Sequence, residues 1–193
     1  AGKGVADIKS ANSEVSVQSA TMNDTLYAFP MTADNGYFLY YDSSVVSPEQ
    51  AQSWDSLLEA ADAAGKRVGF TMSSGWYNAS FFYSAGFTTA LNEDGSTSMD
   101  WNGEADYTGV EVAQAMINIA SDPAFMAVAD GDMSNQIASG QLCAAVSGTW
   151  DAQAAQTAFG DGYAATKLPT FTIAGEQLQQ SAVIGCKLVG VNA

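Results

Sequence analysis

Hydrophobic and polar positions change period several times along the chain, and each change marks an element. Residues 26–30 and 37–41 are dense in aromatic and apolar side chains. They read as two extended segments joined by a loop over Met31-Thr32-Ala33-Asp34-Asn35-Gly36. Over 53–64 the period lengthens. Leu57, Leu58, Ala61 and Ala64 recur at helical spacing, Ser53 stands at the N-cap and Gly65 at the C′ position. A short apolar run at 68–72 predicts a buried strand; helix-forming sequence follows over 76–85, and Gly86 stops it.

Two turn signals, Asn92-Glu93-Asp94-Gly95 and Asp100-Trp101-Asn102-Gly103, predict a surface hairpin within 91–106. Val110, Ala113, Met116, Ile117 and Ala120 then mark an amphipathic helix that ends before Pro123. A shorter helix over 133–139 has Asp132 as N-cap and Gly140 as terminator. Beyond it come a strand at 142–147, a helix at 149–158 closed by Gly160, and a strand at 163–168. Residues 177–191 read as mostly extended, with a break at Gly185. Strands alternating with helices in this way predict the α/β class, with helices on both faces of a mainly parallel sheet.

Composition narrows the picture. A chain of 193 residues that is 47% hydrophobic and 11% aromatic supports one sizeable domain and is not a disordered linker. Its longest apolar runs fall far short of the roughly 20 residues of a membrane helix. The absence of histidine excludes Ser-His-Asp and Cys-His catalysis, His-ligated zinc and His acid/base chemistry within the chain. The net charge of −15 comes from only 6 basic residues against 21 acidic ones. So few cations exclude a nucleic-acid surface or attraction to anionic lipid, and leave a neutral or cationic small ligand compatible.

Other chemistry drops out as well. The acidic clusters at 92–95 and 130–132 lack the alternating oxygen ligands of a calcium loop and read as solvated turns, so no metal site is expected. No Gly-rich phosphate loop is present, and no cofactor motif. Cys143 and Cys186 lie on two predicted strands. Bridged in an oxidising compartment, they would close a long loop and contribute roughly 4 kcal/mol; unbridged, they serve as small apolar residues. Neighbouring strands would favour the bridge. The first twenty residues lack a signal-peptide pattern, and residues 188–193 read as a strand with no closing helix. The chain therefore reads as a fragment of a longer protein.

Three stretches, taken in order, resemble a known family. They are Leu26-Tyr27-Ala28-Phe29-Pro30 running on to Tyr40-Tyr41, then Ser147-Gly148-Thr149-Trp150, then Ala164-Ala165-Thr166-Lys167-Leu168-Pro169-Thr170-Phe171 with Gly190-Val191-Asn192-Ala193 after it. Their order and spacing, over about residues 22–193, resemble the family 1 extracellular solute-binding proteins of ABC importers, the maltose-binding-protein-like group. Ser53-Trp54-Asp55 resembles that family's helix start.

The resemblance implies a periplasmic-binding-protein-like lobe, incomplete at both ends, with 1–21 as a lead-in segment and 22–193 as the ligand-binding lobe. It also implies a monomeric, extracellular bacterial lipoprotein that binds a carbohydrate between two lobes and hands it to a membrane permease. Ligand-binding residues follow from the same matches. Trp76, with Tyr77 beside it, and Trp150 match the family's sugar-stacking aromatics. Asp34, with Asn35, matches the place of a carboxylate that bonds sugar hydroxyls.

Each has a plainer structural reading. The aromatics anchor helices to a core, Asp34 and Asn35 form a turn, and Asp151 is a first-turn acid favoured by the helix dipole. Trp54 is read as structural. Loops after parallel strands gather on one sheet edge, so Trp76 and Trp150 are expected part-exposed on a shared concavity with Asp34 at its rim. Two further classes stay open: a glycosidase working through two carboxylates, and an acidic adhesion module with no small ligand.

Overall fold

The computed structural model describes residues 4–101 and 105–191. Asn102 and Gly103 of the second turn signal, and Asn192 and Ala193 after the last strand, lie outside the described residues. Along the chain come helices α1 (Val5–Ser10) and α2 (Glu14–Ser19) and strands β1 (Thr21–Met22), β2 (Thr25–Leu26) and β3 (Phe29–Asp42). Next are α3 (Trp54–Ala63), β4 (Arg67–Phe70), α4 (Gly75–Ser84), β5 (Thr88–Leu91), β6 (Thr97–Asp100), α5 (Gly109–Ala120) and β7 (Phe125–Ala127). The chain closes with α6 (Met133–Ala138), β8 (Leu142–Gly148), α7 (Ala152–Phe159), β9 (Tyr163–Thr166), β10 (Thr170–Ile173), β11 (Glu176–Gln179) and β12 (Ile184–Val189). Contacts gather these elements into two compact units. The larger holds Tyr37–Thr89 and Met99–Val183; the smaller holds residues up to Gly36, Ala90–Ser98 and the segment from Ile184.

The larger unit is built on a sheet in the order β9, β3, β8, β4, β7, with residues 37–42 of β3 taking part. β4 lies parallel to both β7 and β8, whereas β3 runs antiparallel to β8 and β9. Four strands thus share one direction and β3 opposes them. Period-two alternation sends side chains to opposite faces. Tyr37, Leu39, Tyr41, Val68, Phe70 and Val146 pack with Trp54, Leu57, Phe81, Val112 and Ile119 from α3, α4 and α5. Tyr40 and Ala145 pack with Met133, Ile137, Ala155 and Phe159 from α6 and α7. Helices therefore cover both faces, as the alternation predicts. Gly69 lets the second layer come close: a Cβ there would stand 2.8 Å from Leu142 Cδ1 and 3.1 Å from Met133 Sδ.

Local signals place most of the helices. Ser53 Oγ accepts the Ser56 N–H at 3.1 Å and starts α3, and Gly65, at φ +63, ends it. Thr108 and Glu111 form a reciprocal capping box at the start of α5. Asp132 departs from its expected role. It makes no cap bond to the α6 backbone, and its carboxylate instead accepts from Asn135 Nδ2 and Gln136 Nε2 at 2.7 and 2.8 Å. The predicted surface hairpin forms as β5 and β6, and Asp94 Oδ1 accepts the Ser96 N–H within its turn.

Two expectations need correction. Residues 31–36 are not a loop, because β3 runs unbroken through them. β12 pairs alongside, Thr32 with Lys187, Asn35 with Gly185 and Gly36 with Ile184, and so supplies the backbone partners that a loop would take from water. The register shift sets Ala33 and Asp34 against Cys186 alone, a β-bulge that accommodates the polar turn formers. Gly185, in turn, lies inside β12, and the break falls between β11 and β12. β10 and β11 form a hairpin turned by Ala174 and Gly175 at φ +48 and +86, and its first strand and turn lie in residues 169–176, to which the sequence pattern assigns no element.

In the smaller unit α1 and α2 precede the hairpin of β1 and β2, whose two-residue turn holds Asn23 and Asp24 at φ +48 and +59, and the N-terminal part of β3 pairs with β12. No described helix is long and apolar enough to cross a membrane.

Candidate functional site

In the larger unit, the C-terminal end of β8 carries the densest set of chemical groups. The strand is buried along its whole length, and Gly148, opposite Tyr37, accepts the Tyr40 hydroxyl at 2.9 Å. Burial pushes the Tyr40 hydroxyl up to about 12, with Tyr163 and Asp151 adding to the effect. The chain then tightens into a 3-10 turn, Thr149–Asp151, before α7. This geometry turns consecutive side chains in opposite senses. Trp150 is 50% exposed, whereas Asp151 is 8% exposed and accepts the Ser147 hydroxyl at 2.6 Å. Trp150 and Asp151 line a cleft of about 600 Å³ with Ser134 and Ala138 from α6 and Gln153, Ala154, Thr157 and Ala158 from α7.

β4 is a parallel neighbour of β8, so the turn that follows it leaves the sheet at the same edge. Trp76, at the start of α4, is 36% exposed and meets Tyr37 edge-on at 6.2 Å. The Tyr37 hydroxyl donates to the Trp76 carbonyl at 3.0 Å and holds that turn in place. Tyr77 points inward. It is buried against Tyr37 and Phe70, with ring centroids 4.8 and 6.0 Å away. Burial raises its hydroxyl above the ordinary tyrosine value; the Ser147 hydroxyl opposes the shift, and the Asp130 and Asp151 carboxylates add to it. Trp76 and Trp150 share a sheet edge and are both part-exposed, but Trp76 is not among the residues lining the cleft at Trp150.

Asp34 and Asn35 belong to the smaller unit. Asp34 is exposed at the bulge of β3. Its carboxyl is held below the usual aspartate value chiefly by the nearby Thr32 hydroxyl, against some desolvation, with its own backbone N–H and Lys187 contributing. Thr32 Oγ1 itself is buried and has no hydrogen-bond partner among the described residues. Asn35 is half-buried and pairs with Gly185.

Trp54 is structural, as read. It is fully buried, and its indole N–H donates to Gln180 Oε1 at 2.8 Å. Gln180, also buried, passes its amide to Ser80 Oγ at 2.7 Å. Nothing in the surrounding sequence marks this glutamine, which lies in a polar stretch. Asp151 was legible only as a first-turn acid, and its place in the cleft depends on Ser147, four residues earlier.

The cysteine bridge does not form. Cys143 and Cys186 are free thiols, each directed at a backbone carbonyl of its own unit: Cys143 Sγ at Arg67 O, 3.7 Å, and Cys186 Sγ at Val15 O, 3.9 Å. Burial pushes the Cys143 thiol up to about 11. Among the described residues no group of three or more acidic or cysteine side chains is arranged to hold a metal ion.

The sequence pattern of the family described as "Bacterial extracellular solute-binding protein" matches residues 4–193. The chain belongs to that family. Among solved structures similar to this solute-binding chain is one of a protein with acarbose. It has a TM-score of 0.80 and 28% sequence identity, and the match covers 100% of this chain and 49% of that one. A second is the maltodextrin binding protein MalE1 from L. casei BL23 without ligand, with a TM-score of 0.74, 22% identity, and coverage of 99% and 49%. The likeness to MalE1 is one of fold. This solute-binding chain spans about half the length of both structures. No curated protein matches it.

Proposed function

We propose that the protein carrying this chain is a non-catalytic, carbohydrate-binding component of a bacterial ABC importer. In this reading it is a monomer anchored at the cell surface as a lipoprotein, and it delivers its ligand to a membrane permease. The observation that carries the reading is Trp150, half exposed at the carboxyl end of a buried central strand with a carboxylate beside it on one cleft. A flat aromatic face suits the C–H face of a pyranose, and adjacent polar groups suit its hydroxyls. Trp76, with Tyr77 beside it, offers a second face at the same edge, on a turn held by the Tyr37 hydroxyl. Asp34 and Asn35 are the candidate hydrogen-bonding groups of the smaller unit, considered by itself. The solved relative with acarbose, and the maltodextrin-binding protein of like fold, support a saccharide as the ligand class.

The test is titration of the full-length protein with maltooligosaccharides and acarbose, followed by tryptophan fluorescence and calorimetry, with product analysis on the same samples. Saturable binding with intact ligand is expected. Hydrolysis would instead assign the protein to the two-carboxylate glycosidases, and the absence of both binding and hydrolysis would favour an interaction module.

A further inference from the structure

An acid in the first turn of a helix ordinarily spends its carboxylate on the free backbone N–H groups there. Asp151 does not: it stands immediately before α7 and makes no cap hydrogen bond. It is 8% exposed, yet neither of its oxygens is both enclosed and without a partner, so the oxygen that no protein group bonds meets solvent. A carboxylate has about four acceptor positions. Among the described residues its side chain receives one hydrogen bond, from Ser147 Oγ to Oδ2 at 2.6 Å. Ser147 is itself fully buried at the end of β8, so the carboxylate is fixed in orientation by a rigid strand. The remaining acceptor capacity belongs to a residue that lines the cleft beside the exposed indole of Trp150.

We infer that Asp151 is a ligand-contacting, specificity-determining residue that accepts hydrogen bonds from hydroxyl or ammonium groups of a saccharide seated on Trp150 and disfavours anionic saccharides. The inference rests on the carbohydrate reading above. A carboxylate only accepts, so a ligand must bring donors. A uronate would set two negative charges together in a partly desolvated cleft, on a chain whose net charge is already −15. Neutral sugars meet the requirement through vicinal hydroxyls, and amino sugars meet it with a charge-assisted bond.

The experiment is calorimetric titration of the full-length wild-type protein and its Asp151→Asn variant. The probes are maltotriose, its terminal glucosamine analogue with the amine protonated, and its terminal glucuronate analogue. Wild type is expected to bind the amine analogue at least as well as maltotriose, and the glucuronate analogue worst. Asp151→Asn should weaken maltotriose binding about 10-fold or more and abolish the discrimination between amine and uronate. Binding of maltotriose by the variant within twofold of wild type, with discrimination intact, overturns the inference and leaves the carbohydrate reading standing. Failure of wild type to bind any of the three counts against the carbohydrate reading itself. A crystal structure of wild type with maltotriose provides a measurement independent of the variant's folding. An Asp151 carboxylate oxygen within hydrogen-bond distance of a ligand hydroxyl is expected, and its absence overturns the inference.

Discussion

Two helix starts in the larger unit carry nearly the same tripeptide, Ser53-Trp54-Asp55 before α3 and Thr149-Trp150-Asp151 before α7, and the fold uses them in opposite ways. At the first, the tryptophan is fully buried and the acid exposed; at the second, the tryptophan is half exposed and the acid buried. Asp55 accepts from the Thr172 hydroxyl and Gln177 Nε2, a surface contact with the β10–β11 hairpin. Asp151 accepts from Ser147 inside the sheet edge. The difference lies in how each chain enters its helix. Ser53 is an extended N-cap that begins an α-helix directly, so Trp54 falls on the core-facing stripe with Leu57, Leu58 and Ala61. At the second start a 3-10 turn intervenes and rotates the inward position from the indole to the carboxylate.

The contrast is broken most severely by Trp54→Ala. It removes a core aromatic in contact with Phe70 and Phe125 and should cost about 3–5 kcal/mol, read as a lowered denaturation midpoint. Gln180→Ala should cost about 1–3 kcal/mol in the same assay, because it leaves the Trp54 indole N–H and the Ser80 hydroxyl without their buried partner. Trp150→Ala should leave stability within about 0.5 kcal/mol while weakening saccharide binding by about 1–3 kcal/mol. A stability loss as large as that of Trp54→Ala would erase the distinction between the two tryptophans. The mildest pair compares the first residue of each tripeptide. Ser53→Ala should cost about 1 kcal/mol through its lost bond to the Ser56 N–H, whereas Thr149→Ala, with no cap bond to lose, should fall within about 0.5 kcal/mol. Equal midpoints for these two variants would show that the entry geometry does not separate the helix starts.

Much of the larger unit was legible because its signals are local. The cap and terminator of α3, the terminators of α4 and α5, the strand cores of β4 and β8 and the β5–β6 hairpin follow from residues within a few positions of one another. The candidate aromatics at 76 and 150 were legible too, though through order and spacing along the chain rather than through any local rule. Harder to see were the places where a distant partner changes the outcome. Asn35 and Gly36 carry turn chemistry, yet β12, about 150 residues later, pairs with them and extends the strand through the expected loop. The cysteines sit on strands as expected, but strand membership says nothing about where a thiol points, and each is directed at a carbonyl of its own unit.

From its sequence alone this protein is an α/β chain, poor in bases, without histidine chemistry, and patterned like an extracellular solute-binding lobe. Periodicity and composition suffice for the first three; the last is what the resemblance of its motif stretches to a known family implies. Which tryptophan is buried, which carboxylate is held in a cleft and which turn formers become strand were decided by tertiary structure. Trp54 is committed to the core by Gln180, 126 positions away, and by the rings of Phe70 and Phe125 from two other elements. Among the described residues no aromatic ring packs against Trp150 in this way, and it stays half exposed. Burial is a property of what packs against a residue, and two nearly identical tripeptides at two helix starts carry no record of it.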